Sequence, residues 1–392
     1  MARENEEQRS LREYGNRKKR HRRRRNAIII MMLLAVAVVG VMYLIRLYNR
    51  NYHSYEVVHT TEVTGKNAVG YLSYGSSVIK YSNDGAVAID QDGKQLWNGS
   101  YEMANPIADT CGNYTVVADK GSKSIHIFNQ KGVAGSFETI YDIVKVEVAR
   151  QGVVAVLMEE GDSNYIQVLD LDGTELWVKK TSVNKEGFPL DISLSDDGQK
   201  LIASYLTVTD GKLIDNVSCF NFSEVGKNKK DNFVGGWKAE EGIIVPRVAF
   251  ANNDTISIFK NNGLKIGSMP EIPSILEELN FEEKIQSILY NKKYIGVVLE
   301  AAEGEAKHLL LYNLKGKKVL DKSINFDYKK IFLAEEEIIF TNDTSCIIMK
   351  VSGKVKFKGT FEEKVEAVYP INNLDRYFLI SGNKISQILL KE

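Results

Sequence analysis

Two acidic turns are the first places where this sequence could do chemistry. Asp90-x-Asp92-Gly93 and Asp170-x-Asp172-Gly173 open with the carboxylate spacing of a calcium loop. Neither supplies the later ligands or the bidentate Glu of such a loop, so the acids read as turn residues bonding nearby backbone N–H groups. Cysteine chemistry has less support. Cys111, Cys219 and Cys346 are far apart, with no CxxC and no Cys/His cluster, so neither a zinc site nor a disulfide framework is expected. Nucleophilic catalysis lacks a Gly-x-Ser-x-Gly, a His-Glu-x-x-His or a phosphate loop. The histidines are His21 in a basic head, His53 and His59 further on, His126 inside a strand-like run and His308 entering one. Tyr71, Tyr74, Tyr81 and Tyr101 cluster as a carbohydrate- or peptide-binding rim would, but tyrosine is also a favoured strand residue and packing is the simpler account. No catalytic, cofactor-binding or metal-ligating residue is assigned, and no cofactor.

The same acidic turns belong to a repeat. Aligned on a turn glycine, six segments fall into register: "AVAIDQDGKQLW" at Gly93, "IHIFNQKGVAGSF" at Gly132, "IQVLDLDGTELW" at Gly173, "ISIFKNNGLKIGS" at Gly263, "LLLYNLKGKKVLD" at Gly316 and "CIIMKVSGKVKFK" at Gly353. Positions seven, five and four before the glycine are apolar in nearly every segment, and position six before it is mixed, the alternation of a strand with one face more buried. Asp or Asn three before the glycine and the glycine itself suit a tight turn, so each unit is a β-hairpin. A looser unit, "NVSCFNFSEVGKN", surrounds Gly226.

Two further strand-like runs generally precede each hairpin, as in "PLDISLSDDGQKLIASYLTV", "KIQSILYNKKYIGVVLE" and "KKIFLAEEEIIFTND". Hairpins recurring every ~40–50 residues match the period of four-stranded propeller blades. The fold class is therefore all-β, a β-propeller over residues 55–392 with eight blades, seven being the alternative. The C-terminal run "VEAVYPINNLDRYFLISGNKISQILLKE" supplies only three strands. "YEVVHTTEV", 55–63, is expected to add the fourth and close the ring, which removes exposed edges. "PEIPSILEELNFEEK", 270–284, reads as a short helix inserted between blades.

The hairpins with Trp97 and Trp177 resemble pyrroloquinoline-quinone-type propeller repeats, whose tryptophans dock one blade on the next. "SLSDDGQKLIA" resembles the strand turn of TolB-like and WD40-like blades. The whole plan resembles an uncharacterised family of Gram-positive bacterial proteins in which a basic head and one span carry an outward propeller-like domain. That resemblance implies a fold and no activity. A quinoprotein dehydrogenase is not implied, since the chain has no adjacent Cys-Cys pair and no acidic set of that class.

Charge is divided along the chain. Residues 1–26 hold 11 Lys/Arg against 4 Asp/Glu, a net of +7, while residues 51–392 carry a net of −9. Between them Ala27 to Ile45 is uncharged and apolar, long enough as a helix to span roughly 28 Å of bilayer. The run exceeds a signal peptide's apolar region and lacks a small-residue cleavage site, so an uncleaved single-pass anchor is expected. "NRKKRHRRRR" before the span keeps the N-terminus inside, and abutting a span it is read as a topology signal, not a nucleic-acid patch. The expected organisation is a cytoplasmic head at 1–26, a transmembrane helix at 27–45, a stalk at 46–54 and an outward propeller at 55–392. The expected function is a non-enzymatic scaffold in the cytoplasmic membrane with envelope protein partners. A sensor binding a small ligand or glycan in the channel is the alternative, and an enzyme the third reading. No small-xxx-small motif in the span argues for a dimer.

Overall fold

The structure is a computed structural model that describes residues 25–392 apart from 27, 28, 44, 47, 64, 66, 67, 184, 210, 302–304 and 373. Two compact units divide it, Met1–Asn51 and Tyr52–Glu392. In the first, residues 29–43 are helical. Among the described residues no helix is long and apolar enough to cross a membrane. Ala27, Ile28 and Leu44 of the expected span lie outside the described residues.

The second unit consists of eight four-stranded antiparallel sheets, seven of which are built from four consecutive strands. Blade 1 holds β2 (Gly70–Tyr74), β3 (Ser77–Ser82), β4 (Gly85–Ile89) and β5 (Gln95–Ser100); blade 2 holds β6 (Pro106–Cys111), β7 (Tyr114–Asp119), β8 (Ser124–Asn129) and β9 (Gly132–Glu138). Blade 3 is β10 (Asp142–Val148), β11 (Val154–Glu160), β12 (Ser163–Leu169) and β13 (Glu175–Ser182). Blade 4 is β14 (Phe188–Leu194), β15 (Lys200–Thr209), β16 (Lys212–Asn221) and β17 (Phe233–Lys238). Blade 5 is β18 (Arg247–Phe250), β19 (Thr255–Lys260), β20 (Gly263–Ser268) and β21 (Ser274–Asn280). Blade 6 is β22 (Ile285–Tyr290), β23 (Tyr294–Leu299), β24 (Lys307–Asn313) and β25 (Lys318–Ile324). Blade 7 is β26 (Lys330–Ala334), β27 (Glu337–Thr341), β28 (Ser345–Lys350) and β29 (Val355–Thr360). In blade 8, β30 (Ala367–Pro370), β31 (Arg376–Ser381) and β32 (Lys384–Lys391) are completed by β1 (Ser54–Glu62), which pairs antiparallel with β32 from Ser54↔Lys391 to Glu62↔Lys384. The chain is an eight-bladed β-propeller whose first strand closes its last blade.

Apolar alternation produces this ring because each blade has two faces to bury. Eight clusters of buried residues occupy the eight blade-to-blade interfaces. The tryptophans sit between blades as the resemblance implies. Trp97 of blade 1 lies parallel to Phe128 of blade 2, with ring centroids 4.8 Å apart, and Trp177 of blade 3 meets Phe220 of blade 4 at 5.0 Å. The turn glycines also serve packing. Gly173 has φ +84°, and a Cβ there would stand 2.7 Å from Phe137 on the outer strand of the preceding blade.

Blade 5 departs from the expected register. Five of the six aligned glycines join third to fourth strands, but Gly263 joins β19 to β20, the second and third. The segment 270–284, expected as a helix, instead contains β21, paired with β20 from Gly263↔Asn280 to Ser268↔Ser274. Its Glu-rich sequence has helical propensity, yet Ile275 packs in the interface with blade 4 and Leu279 in that with blade 6, and pairing overrides propensity. Asn-Asn-Gly marks a tight turn without saying which pair of strands it joins. At Gly226 the connection between β16 and β17 is longer than a hairpin, with a helical turn at Glu224–Lys227 and a 3-10 turn at Lys230–Asn232.

Candidate functional site

The first strand of every blade faces a central channel, and where these strands end they enclose a cavity of about 510 Å³. Inner strands have one unpaired edge, so their backbone N–H groups need other acceptors. In blades 2 to 5 acidic and hydroxyl side chains of one blade meet that need in the next. Val148 N donates to Asp109 Oδ2 at 2.9 Å, Leu194 N to Glu147 Oε2 at 2.7 Å and Val248 N to Asp191 Oδ2 at 2.9 Å. Phe250 N donates to Ser193 Oγ at 3.0 Å. The Lys145 ammonium joins two of these carboxylates, 2.6 Å from Asp191 Oδ1 and 2.9 Å from Glu147 Oε1. Burial opposes its charge, but Glu147 and Asp191 outweigh burial and hold its pKa above the usual range. Asp109 goes the other way: burial, then the Glu147 charge, push its carboxyl well up.

The opposite wall, from blades 5 to 7, is aromatic, with Phe250, Tyr290 and Phe332. Across the rim a lysine of blade 6 reaches the first turn of blade 4. Lys292 Nζ lies 2.6 Å from Asp196 Oδ2, and Arg150 of blade 3 approaches the same oxygen at 2.8 Å. Cys111 of blade 2 donates from Sγ to Asp196 Oδ1 at 3.4 Å. Burial alone would raise the Asp196 pKa, but the hydrogen bonds from Lys292, Cys111 and Arg150 bring it below the ordinary value. Burial and the Asp196 charge push the Cys111 thiol up to about 12, which leaves it protonated and a poor nucleophile. Four blades are thus tied at one carboxylate beside the channel mouth.

A sequence profile describing a family of unknown function, DUF5711, matches residues 48–390. The chain belongs to this family. No curated protein matches it. Among solved structures, BamB from Moraxella catarrhalis is similar at TM-score 0.50 and 12% identity, over 86% of this chain and 100% of that one. Citrobacter koseri AztD is similar at TM-score 0.51 and 11% identity, over 77% and 88%. Porphyromonas gingivalis dipeptidyl peptidase 4 gives TM-score 0.52 and 13% identity, over 80% of this chain and 56% of that one. At such identities the likeness is one of fold.

In this DUF5711 chain the acidic turns do turn chemistry. Asp90 Oδ1 accepts from Asp92 N at 2.9 Å and Lys94 N at 2.8 Å, and Asp170 Oδ1 accepts from Thr174 N at 2.9 Å. Tyr71, Tyr74 and Tyr101 are buried, with Tyr74 donating to the Asn113 carbonyl at 2.5 Å, so they pack between blades and form no rim. His126 is half-buried against Tyr101, at 5.3 Å between centroids, and burial lowers its pKa. His308 pairs with Asp321 at 3.0 Å on the outside of blade 6, and His21 lies outside the described residues. Neither His126 nor His308 lies at the channel mouth. The channel carboxylates escaped sequence reasoning, although a signal exists: each interrupts an apolar inner strand, as in "PIADTC", "DIVKVEV" and "FPLDISL".

Proposed function

We propose that this propeller is a non-enzymatic interaction module, held outside the cytoplasmic membrane of a bacterial cell by a single span at 27–45 and presenting its surfaces to envelope proteins. The observation that carries this reading is the state of the channel polar groups. Asp109, Glu147 and Asp191 accept backbone N–H groups of neighbouring blades, and Asp196 is taken by Lys292 and Arg150. Groups so engaged hold the ring together. A closed ring has loops at two rims and outer strands around its edge, surfaces suited to several partners at once. The apolar run Ala27 to Ile45, preceded by the basic head, supports the anchor and its inside-out direction. The net charge of −9 over residues 51–392 disfavours contact with anionic headgroups and favours protein partners.

The channel cavity, with its aromatic wall, favours a second reading in which a small ligand binds there, since about 510 Å³ lies in the range of ligand pockets. In-cell crosslinking of the full-length protein followed by mass spectrometry separates the two. The control keeps residues 1–50 and carries an unrelated domain. A reproducible set of envelope proteins captured only with the propeller supports the module. Capture no different from the control overturns it and turns attention to channel ligands.

A further inference from the structure

We infer that blade 5 carries a covalent staple, an amide bond formed within the folded chain between the side chains of Lys260 and Asn280. Lys260 Nζ lies 2.6 Å from Asn280 Oδ1 and 2.7 Å from Glu278 Oε1. The lysine is only 6% exposed. A buried amine, an amide carbonyl and a carboxylate in contact are the parts of an amide exchange: nucleophile, electrophile and proton carrier. Lys200 and Lys356, as deeply buried, donate instead to carboxylates, main-chain carbonyls and a tyrosine.

The fold builds this corner where blade 5 departs from the repeat. Lys260 ends β19 and pairs with Gly263, which pairs in turn with Asn280 at the end of β21. The two side chains share one face of the sheet and meet across a glycine. A Cβ on Gly263 would stand 3.1 Å from Lys260 Cε and 3.1 Å from Asn280 Oδ1, so its missing side chain leaves room for the contact. Phe281 N donates to the Asn262 carbonyl at 2.9 Å and fixes the end of β21 over the turn. The matching corner is Ser82, Gly85 and Ser100 in blade 1, and Glu160, Ser163 and Ser182 in blade 3. Neither offers an amine or an amide.

The Lys260 hydrogen bond holds the Glu278 carboxyl below its ordinary range, so it stands ionised, in the form that accepts a proton. Rotation about the Asn280 Cβ–Cγ bond turns the carbonyl carbon toward Nζ. Nζ then bonds to Cγ, and the Cγ–Nδ2 bond breaks with its electron pair on nitrogen. Two protons of the Lys260 ammonium pass by way of Glu278 to that nitrogen, which leaves as ammonium. Glu278 ends as it began, and a neutral secondary amide replaces a buried charge. The carboxylate is not stranded, since Lys265 Nζ lies 3.1 Å from its Oε2. A cavity of about 170 Å³ adjoins the three groups, with Trp237, Ile258 and Asn262 in its wall. Asn262 Oδ1 is buried with no partner among the described residues, an acceptor for the departing ammonium.

The test is mass spectrometry of the full-length protein purified in detergent. A tryptic digest of the wild type should contain a branched peptide joining Lys260 to Asn280, lighter by one ammonia than its two parts. The intact chain should show the same loss. Lys260→Arg and Asn280→Ala should each lack the branched peptide and keep the ammonia. Glu278→Gln preserves the shape of the proton carrier and should leave most of the chain unlinked. The wild-type digest decides the matter even where a variant does not fold. A wild type without the branched peptide, whatever its intact mass, overturns the inference, as does a bond formed in full by Glu278→Gln.

Discussion

Asp215 is the residue at which burial and charge conflict most plainly. It is 0% exposed on the third strand of blade 4; its Oδ2 accepts Val245 N at 3.1 Å, while Oδ1 has no partner among the described residues. Burial pushes its carboxyl up to about 7, and the backbone N–H groups around it only partly hold it down. The folded chain therefore keeps this proton up to about pH 7, while the unfolded chain releases it near pH 4. Between those values the folded state binds more protons, so the Asp215 contribution is fully present at the acid end and lost as pH rises through 7. Asp215→Asn is expected to flatten the fall in Tm between about pH 4 and 7, and to be the more stable protein at pH 8 by up to about 4 kcal/mol. Unfolding midpoints of both proteins at several pH values check this; a difference between them that does not change across the window would reverse the assignment.

At the scale of the element, the hairpin is the unit and its outer strand does the docking. Trp97 stands on β5 and stacks on Phe128 of blade 2 at an interplanar angle of 1°, with 5% of its surface exposed. Trp177 holds the matching position on β13 but is only partly buried, tilted 52° against Phe220. Trp97→Ala is expected to cost about 3–5 kcal/mol through the cavity it leaves, and Trp177→Ala clearly less. Chemical denaturation of the two variants gives the comparison, and equal losses would mean that the parallel stack adds nothing. Blade 5 carries the corresponding lesson about strand order. Its most turn-like sequence, Asn261-Asn262-Gly263, joins second to third strand, so this element is a hairpin as read but stands one strand out of step.

For the whole molecule, closure is the decisive contact. β1 joins β32, at the other end of the sequence, and Tyr52 reaches further to bridge Phe357 in blade 7. Lys356 of blade 7 is buried beside it, 2.5 Å from Glu337 Oε1 and 2.7 Å from the hydroxyl of Tyr377 in blade 8, so the last two blades share a satisfied polar core. A chain starting at Tyr52 is expected to remain a cooperative monomer. One starting at Val63 bares the edge of β32 and should lose cooperativity and associate through it. Size-exclusion chromatography with thermal melts distinguishes them; a well-behaved monomer without β1 would show that closure is dispensable.

The propeller, its eight blades and the strand that closes them were legible because each rests on local pattern. Apolar alternation and a glycine three residues after Asp or Asn specify a hairpin within about a dozen residues, and a repeated hairpin specifies a repeated blade. The tryptophan positions were legible for the same reason. The channel was not. Asp109 meets Val148, Asp191 meets Val248, and Lys292 meets Asp196 only because the ring brings distant strands side by side. In the sequence Lys80 is one charge in a strand, indistinguishable from a solvated one. Only packing against blade 8 decides that its ammonium is buried, because burial is set by what the other end of the chain lays over it.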